Sequence, residues 1–157
     1  MSDLEQRLIN LEARVATLQA INEIQQLRFE YWFALVDKDV DRLLACFTED
    51  VFLDYGFDIQ MSGKDSIRDF FRTLLESEDL IRQVPRGANP QITVLSDTEA
   101  EGRWLVEVVA LRHSQEDGRR IGVQYFEKYR RTDAGWQICE MKNDYLSFES
   151  FERRESP

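Results

Sequence analysis

The spacing of apolar residues changes along this 157-residue chain. In most of the first half, apolar side chains recur every three or four positions, which is typical of amphipathic helices. From residue 92 onward they alternate with polar ones, as in β-strands. Helices followed by strands indicate an α+β fold, with the helices on one face of a mainly antiparallel sheet. Because strands as long as 99–112, 119–131 and 136–146 twist and curl, we predict a conical sheet whose concave face lies under the helices.

The first half contains further local signals. A helix is predicted from the capping residues Ser2 or Asp3 to Val36, and a shorter one follows over residues 40–47. Residues 48–50 are expected to form a turn before a strand at 51–55, and a third helix begins near Ser62. Two prolines and a glycine within residues 85–90 indicate a loop.

The start of the first helix carries a heptad-like apolar seam. Its members follow one another at alternating spacings of four and three residues: Leu4, Leu8, Leu11, Val15 and Leu18. The seam packs either on a partner subunit, giving a homodimer or higher homo-oligomer, or on its own domain. We divide the chain into an extension helix (1–20), one α+β domain (21–150) and a polar tail (151–157).

Composition excludes several function classes. The formal net charge is −10, which disfavours contact with nucleic-acid phosphates and with anionic membranes. No apolar run approaches the roughly 20 residues of a membrane span, and the N-terminus lacks the pattern of a signal peptide. The two cysteines, Cys46 and Cys139, have no metal-ligand spacing. We therefore expect a cytoplasmic protein without a metal site.

Several strings in the order of these elements resemble one family, the SnoaL-like branch of the nuclear transport factor 2-like superfamily, and in particular its bile acid dehydratase and scytalone dehydratase group. The strings are IQQLRFEYWFALVDKDVDRL (24–43), FTEDVFLDY (47–55), SGKDSIRDFF (62–71), NPQITVLSDTEA (89–100), and the tyrosine and Gly-Trp spacing of 122–138. The resemblance covers roughly residues 18–148.

This resemblance implies a cystatin-like α+β barrel with a deep apolar pocket, usually in a dimer. Enzymes of the group need no cofactor and remove a proton beside a carbonyl or enol, with loss of water or isomerisation of a ring. A buried cluster of Tyr, Asp and His usually carries that chemistry. This chain departs from the pattern: Val36 stands where the Asp is expected, and residues 84–86 replace the His.

The candidate catalytic residues are Tyr31, Tyr55 and Glu107. The resemblance places Tyr31 and Tyr55 at pocket positions, where a phenol can hydrogen-bond an enolate oxygen; Tyr31 can equally be a core residue. Asp54 and Tyr55 face opposite sides of a strand, so Asp54 either contacts substrate or holds the nearby turn. Glu107 alternates with apolar residues, so we expect it to be desolvated, as suits a general base or acid; the alternative is an exposed residue paired with arginine.

The remaining candidates are substrate-binding residues. Tyr125 and Glu127 share one face of a long strand, and Arg86 lies in the expected loop at the pocket mouth. His113, the only histidine, precedes a hairpin turn, where exposure is expected.

Three functions remain open at this stage. The first is a cofactor-independent, dehydratase-like lyase or isomerase that acts on an apolar cyclic small molecule. The second is a non-catalytic domain that binds such a ligand. The third is an accessory subunit of an oxygenase-type complex, a role that other proteins with the fold implied by the resemblance have.

Overall fold

The computed structural model describes residues 2–153. Within that range the elements are α1 (Asp3–Val36), α2 (Val40–Ala45), β1 (Phe47–Gly56), β2 (Ile59–Ser62), α3 (Lys64–Leu75), β3 (Leu80–Val94), β4 (Glu99–Arg112), β5 (Gly118–Thr132) and β6 (Gly135–Phe151). The polar tail predicted at 151–157 lies largely outside the described residues. None of the helices described combines the length and the apolar character that crossing a bilayer requires.

The six strands form one curved, open sheet in the order β2-β1-β6-β5-β4-β3. Neighbouring strands are antiparallel except β1 and β6, which are parallel. The helices precede the long strands, and α1 packs across β3 and β6. The predicted α+β class, with helices over one face of a curved sheet, is therefore confirmed.

Two local predictions are wrong. Residues 48–50 belong to β1 and not to a turn; the strand is irregular there, and its register with β6 shifts between Phe47 and Phe52. Residues 85–90 belong to β3 and not to a loop. The prolines indicated a loop because a proline nitrogen cannot donate a hydrogen bond. β3 is an edge strand, however, and a proline nitrogen on its outer side has no neighbouring strand to donate to.

The core lies between α1 and the concave face of the sheet. Ile24, Tyr31 and Leu35 are buried on one side of α1. The Trp32 ring meets the Trp104 ring edge-on, with centroids 5.1 Å apart, which is a favoured aromatic geometry. A β-carbon at Gly87 would overlap the Trp32 ring, so only glycine lets β3 approach α1 this closely.

A bulge in β6 determines which side chains face the core. Tyr129 lies opposite Ile138, whereas the preceding Lys128 lies opposite Glu140, so β6 has one extra residue between the two pairs. The insertion reverses the alternation, because side chains on a strand alternate with a period of two. As a result Asn143, beyond the bulge, faces the core.

Candidate functional site

Two of the predicted tyrosines lie close together on the concave side. Tyr31, near the C-terminal end of α1, is buried, and its ring centroid is 6.5 Å from that of Phe71 on α3. Tyr55, at the end of β1, lies 4.8 Å from Phe70 and 6.5 Å from Phe71. The structure thus brings Tyr31 and Tyr55 together around α3.

A buried arginine extends this group. The guanidinium carbon of Arg28, one helical turn before Tyr31, is 4.2 Å from the Tyr31 ring centroid, 4.7 Å from that of Trp32 and 5.1 Å from that of Tyr125. A guanidinium at such distances is attracted to the ring faces. Arg28 therefore lies against both Tyr31 of the helix and Tyr125 of the sheet.

Arg28 is paired with a buried carboxylate. Its Nη1 lies 3.2 Å from Glu127 Oε1, and both side chains are fully buried (0% exposed). The Tyr129 hydroxyl donates to Glu127 Oε2, and Trp104 Nε1 donates to the Tyr129 hydroxyl oxygen at 2.9 Å. The sheet therefore holds Glu127 through Oε2 and leaves Oε1 directed to the arginine.

Several buried polar atoms here lack hydrogen-bond partners in the described part of the chain. They are the three guanidinium nitrogens of Arg28, Glu127 Oε1, Trp32 Nε1 and Asn143 Oδ1. The contact between Arg28 and Glu127 is an ion pair without hydrogen-bond geometry. Because buried polar groups are nearly always hydrogen-bonded, these atoms mark the part of the core best able to hold the polar atoms of a ligand.

Burial sets the charge states of the group. Desolvation raises the pKa values of the Tyr31, Tyr55 and Tyr125 phenols, so they stay neutral hydrogen-bond donors. Desolvation also raises the pKa of Glu127, against the opposing effects of the Arg28 charge and the Tyr129 hydroxyl. The Glu127 charge in turn favours protonated Arg28, whose pKa is raised although burial acts against it. A permanent cation thus lies beside a carboxylate more basic than an exposed one.

Glu107 is not in this group. The buried face of β4 is formed by Trp104, Val106 and Val108, so Glu107 lies on the convex face with its side chain 44% exposed. It pairs with Arg86 at 3.3 Å and with Arg120 at 3.6 Å. The expectation that Glu107 is desolvated is therefore wrong, because β4 carries apolar residues on both faces and alternation alone does not identify the inner one.

The other candidates are also separated from the group. Arg86 lies on edge strand β3, largely exposed, and not in a loop at a pocket mouth. Asp54 accepts a hydrogen bond from the Gly56 backbone at 3.2 Å and so holds the turn after β1. His113 is exposed at the end of the β4 strand. Only Tyr125 and Glu127 of the predicted substrate-binding residues face the core beside Tyr31.

The concave interior is closely filled. Among the clefts that open on the described residues, five have volumes of about 290 to 620 Å³, and none of these five is lined by Tyr31, Tyr55 or Tyr125. Among the partly buried apolar residues at the rim of the core, three are aromatic: Tyr55, Phe70 and Tyr145. Within residues 2–153, no three His, Cys, Asp or Glu side chains are grouped to hold a metal ion.

Sequence reasoning missed Arg28 and Asn143. Arg28 has a detectable signal, because it interrupts the buried stripe Ile24, Tyr31 and Leu35 at helical spacing, and a charge on an apolar stripe needs a partner. Asn143 has no such signal, because the bulge that turns it inward has no sequence mark that we recognise.

Comparison with known proteins agrees with this fold. The family described as SnoaL-like domain matches residues 16–142. A proposed scytalone dehydratase from Novosphingobium aromaticivorans superposes with a TM-score of 0.80 at 20% identity, over 87% of this chain and 91% of that one.

Two further structures show the same fold. A type 2 hexachlorocyclohexane dehydrochlorinase superposes with a TM-score of 0.76 at 18% identity, over 99% of this chain and 98% of that one. An NTF2-like protein with a cystatin-like fold from N. aromaticivorans gives 0.69 at 22% identity, over 88% and 90%. The chain belongs to the SnoaL-like family.

Proposed function

We propose that this protein is a cofactor-independent lyase or isomerase that acts on an apolar cyclic small molecule at the concave-face group. One observation carries the proposal. Glu127, a buried carboxylate with one oxygen free of hydrogen bonds, lies beside neutral phenols and a cation. Proton abstraction next to a carbonyl requires a base of raised pKa and groups that stabilise negative oxygen, and both are present here.

The phenols and Arg28 stabilise the negative charge that develops on the substrate oxygen. Tyr31 and Tyr125 both lie against the guanidinium, and both stay protonated because burial raises their pKa values. A substrate carbonyl near them would accept hydrogen bonds that strengthen as the oxygen becomes negative. The Arg28 charge acts in the same direction, and more strongly in this desolvated interior than it would in water.

Glu127 is the base that acts on the substrate carbon next to the carbonyl. Its Oε1 takes a proton from the carbon next to the carbonyl, and the electrons of the broken C–H bond move to the oxygen as an enolate. In a lyase, the enolate expels hydroxide from the β-carbon, and the hydroxide takes the proton from Glu127 and leaves as water. In an isomerase, Glu127 returns the proton to another carbon of the conjugated system. Neither route requires an oxidant or a reductant.

Family membership supports this class of reaction. The proteins of similar fold include ones described as dehydratase and as dehydrochlorinase, which are names for the loss of a small group. The partly buried rings at the rim suit an apolar cyclic compound. Because the interior is closely filled, we expect α3, with Phe70 and Phe71, to move away from the sheet when the compound binds.

The test uses a panel of cyclic ketones and their β-hydroxy derivatives. Deuterium incorporation next to the carbonyl is followed by NMR in D2O, and loss of water by the absorbance of the new enone. We expect Glu127→Gln to lower the rate by about 10²- to 10⁴-fold, and Tyr31→Phe by about 10²-fold. Glu107→Gln, which removes an exposed carboxylate, is the matched control and should retain the full rate. Equal rates for wild type and Glu127→Gln would contradict the proposal.

A second candidate is a domain that binds an apolar ligand without reaction. The aromatic packing of the interior favours it, since such a region holds a flat ligand by ring contacts alone. Native mass spectrometry of the purified protein, together with titration of the ketone panel against tryptophan fluorescence, distinguishes the two. Saturable binding without exchange or water loss for any compound supports the binding domain.

A further inference from the structure

The first half of α1 extends away from the domain. Every residue from 3 to 19 is exposed, and Ala20 is the first buried residue of the helix. The apolar seam is among the exposed residues, from 44% for Val15 to 75% for Leu4. Five large apolar side chains in one row on a free helix form a surface suited to a partner.

The seam has the composition of a two-stranded coiled coil. The spacing places Leu4, Leu11 and Leu18 at d positions, and Leu8, Val15 and Asn22 at a positions. Leucine at d, with a β-branched residue and a single asparagine among the a positions, favours pairs of parallel helices over higher oligomers. Asn22 is exposed, so a second Asn22 can meet it across the seam.

The charges that flank the seam identify the partner. The e positions carry Glu5 and Glu12, and the g positions carry Arg7 and Arg14. In a parallel pair of identical helices a g residue faces the e residue five positions later on the other helix, so Arg7 meets the partner subunit's Glu12. An antiparallel pair would instead place acid against acid and base against base.

We propose that residues 4–22 of α1 pair with the same residues of a second copy of this chain, as a parallel two-stranded coiled coil. The seam is short, at fewer than three complete heptads. Each helix is nevertheless already formed, because α1 continues unbroken into the folded domain and begins with a capping box. Pairing therefore bears no cost of helix nucleation, which is what makes short isolated helices unstable.

The domain leaves the seam accessible. Ala20 occupies an f position, on the opposite side of the helix from a and d, and Glu23 pairs with Arg131 on β5 at 3.0 Å. A cleft of about 290 Å³, lined by Ala13, Thr17 and Ala20 on the helix, faces the turn between β3 and β4. Each domain therefore lies on the side of its helix that faces away from the seam.

The first experiment measures mass by light scattering over a dilution series of the full-length protein. The wild type is expected to have twice the mass of one chain. Leu11→Glu, at a d position, should shift it to the monomer, whereas Ala13→Glu, at the exposed f position, should remain dimeric. Because both sites are exposed, the thermal unfolding of the domain serves to show that each variant is folded. A monomeric wild type, or a dimer that Leu11→Glu leaves intact, overturns the proposal.

The second experiment tests direction and register. Arg7→Glu or Glu12→Arg alone should raise the dissociation constant of the dimer by about fivefold, and the two together should restore it. Leu8→Cys, at an a position, should form a disulfide-linked dimer on oxidation, whereas Gln6→Cys, at an f position, should not. Failure of the double variant to recover, or of Leu8→Cys to cross-link, contradicts a parallel pair. If the seam instead binds a different protein, the purified chain alone stays monomeric, which overturns the self-pairing.

Discussion

Replacing Arg28 with methionine is the most direct test of the buried ion pair. Methionine has a similar length and no charge, so the change leaves the Glu127 carboxylate buried without a counter-charge. Both side chains are fully buried (0% exposed), so water cannot compensate for the lost partner. Breaking a buried pair in this way costs about 3–5 kcal/mol. We expect a loss of about 4 kcal/mol in the free energy of unfolding at pH 8, which includes the lost contacts with three aromatic rings.

The loss should depend on pH in a fixed direction. Without Arg28, the pKa of Glu127 rises further above its ordinary value of 4.5 in the folded state, while the unfolded state keeps the ordinary value. A group with a raised folded pKa contributes its stability below the unfolded pKa and loses it as the pH rises through the folded pKa. The unfolded state titrates alike in both proteins, so between the folded-state pKa of Glu127 in the wild type and its higher folded-state pKa in the variant, the deficit of Arg28→Met should shrink by about 1.4 kcal/mol for each unit of pH lowered.

The assay is urea unfolding followed by circular dichroism at several pH values between 5 and 8. A double variant, Arg28→Met with Glu127→Gln, removes both charges and keeps an acceptor for the Tyr129 hydroxyl. It should recover more than half of the single variant's loss at pH 8, and its stability relative to wild type should depend less on pH.

Two results would refute this reasoning. A loss below about 1 kcal/mol for Arg28→Met would mean that the pair is solvated as a surface pair is. A double variant as unstable as the sum of its single variants would mean that Arg28 and Glu127 do not interact.

Three further predictions concern other sites. Glu107→Gln should change the free energy of unfolding by less than about 1 kcal/mol in urea, because its pairs are exposed. Asp79 accepts a hydrogen bond from the Ser114 backbone at 2.7 Å, which lowers the pKa of Asp79 below 3.8. The ionised Asp79 should therefore stabilise the folded protein above that value, and this contribution should disappear as the pH falls through the lowered pKa. On acid titration, the stability of Asp79→Asn should depend less on pH than that of the wild type. Gly87→Ala should displace Trp32, cost about 1–3 kcal/mol and change the near-ultraviolet circular dichroism.

The sequence predicts the fold well because its signals are local and repeated. The alternation in β4 predicts its bounds, Glu99–Arg112, as the structure has them. The end of α1 at Val36 is predicted equally well, because Asp37 and Lys38 break the apolar periodicity. Such signals depend on neighbours in sequence, and long elements contain many of them.

The site is predicted less well because it depends on which face of a strand turns inward. β4 is apolar on both faces, so either the face with Glu107 or the face with Trp104 could turn inward. In the structure the face with the large Trp104 ring is buried. In β5 the aromatic side chains of Tyr125 and Tyr129 indicate the inner face, and Glu127 lies between them on that same face. The partner of Glu127 comes from α1, about 100 positions earlier in the chain, and no spacing argument connects them.

The pairing of Glu127 with an arginine also changes what the base can do. In an Asp-His pair, either member can hold the proton, because their ordinary pKa values lie within a few units of each other. Arg28 stays protonated throughout the accessible pH range, and the Glu127 charge beside it reinforces that state. In the proposed reaction, a proton that Glu127 removes from a substrate cannot pass to Arg28, so it leaves with the departing group, returns to the substrate or exchanges with solvent. Under the proposed function, the single carboxylate of Glu127 must both take and give the proton, which is what elimination of water and allylic isomerisation require.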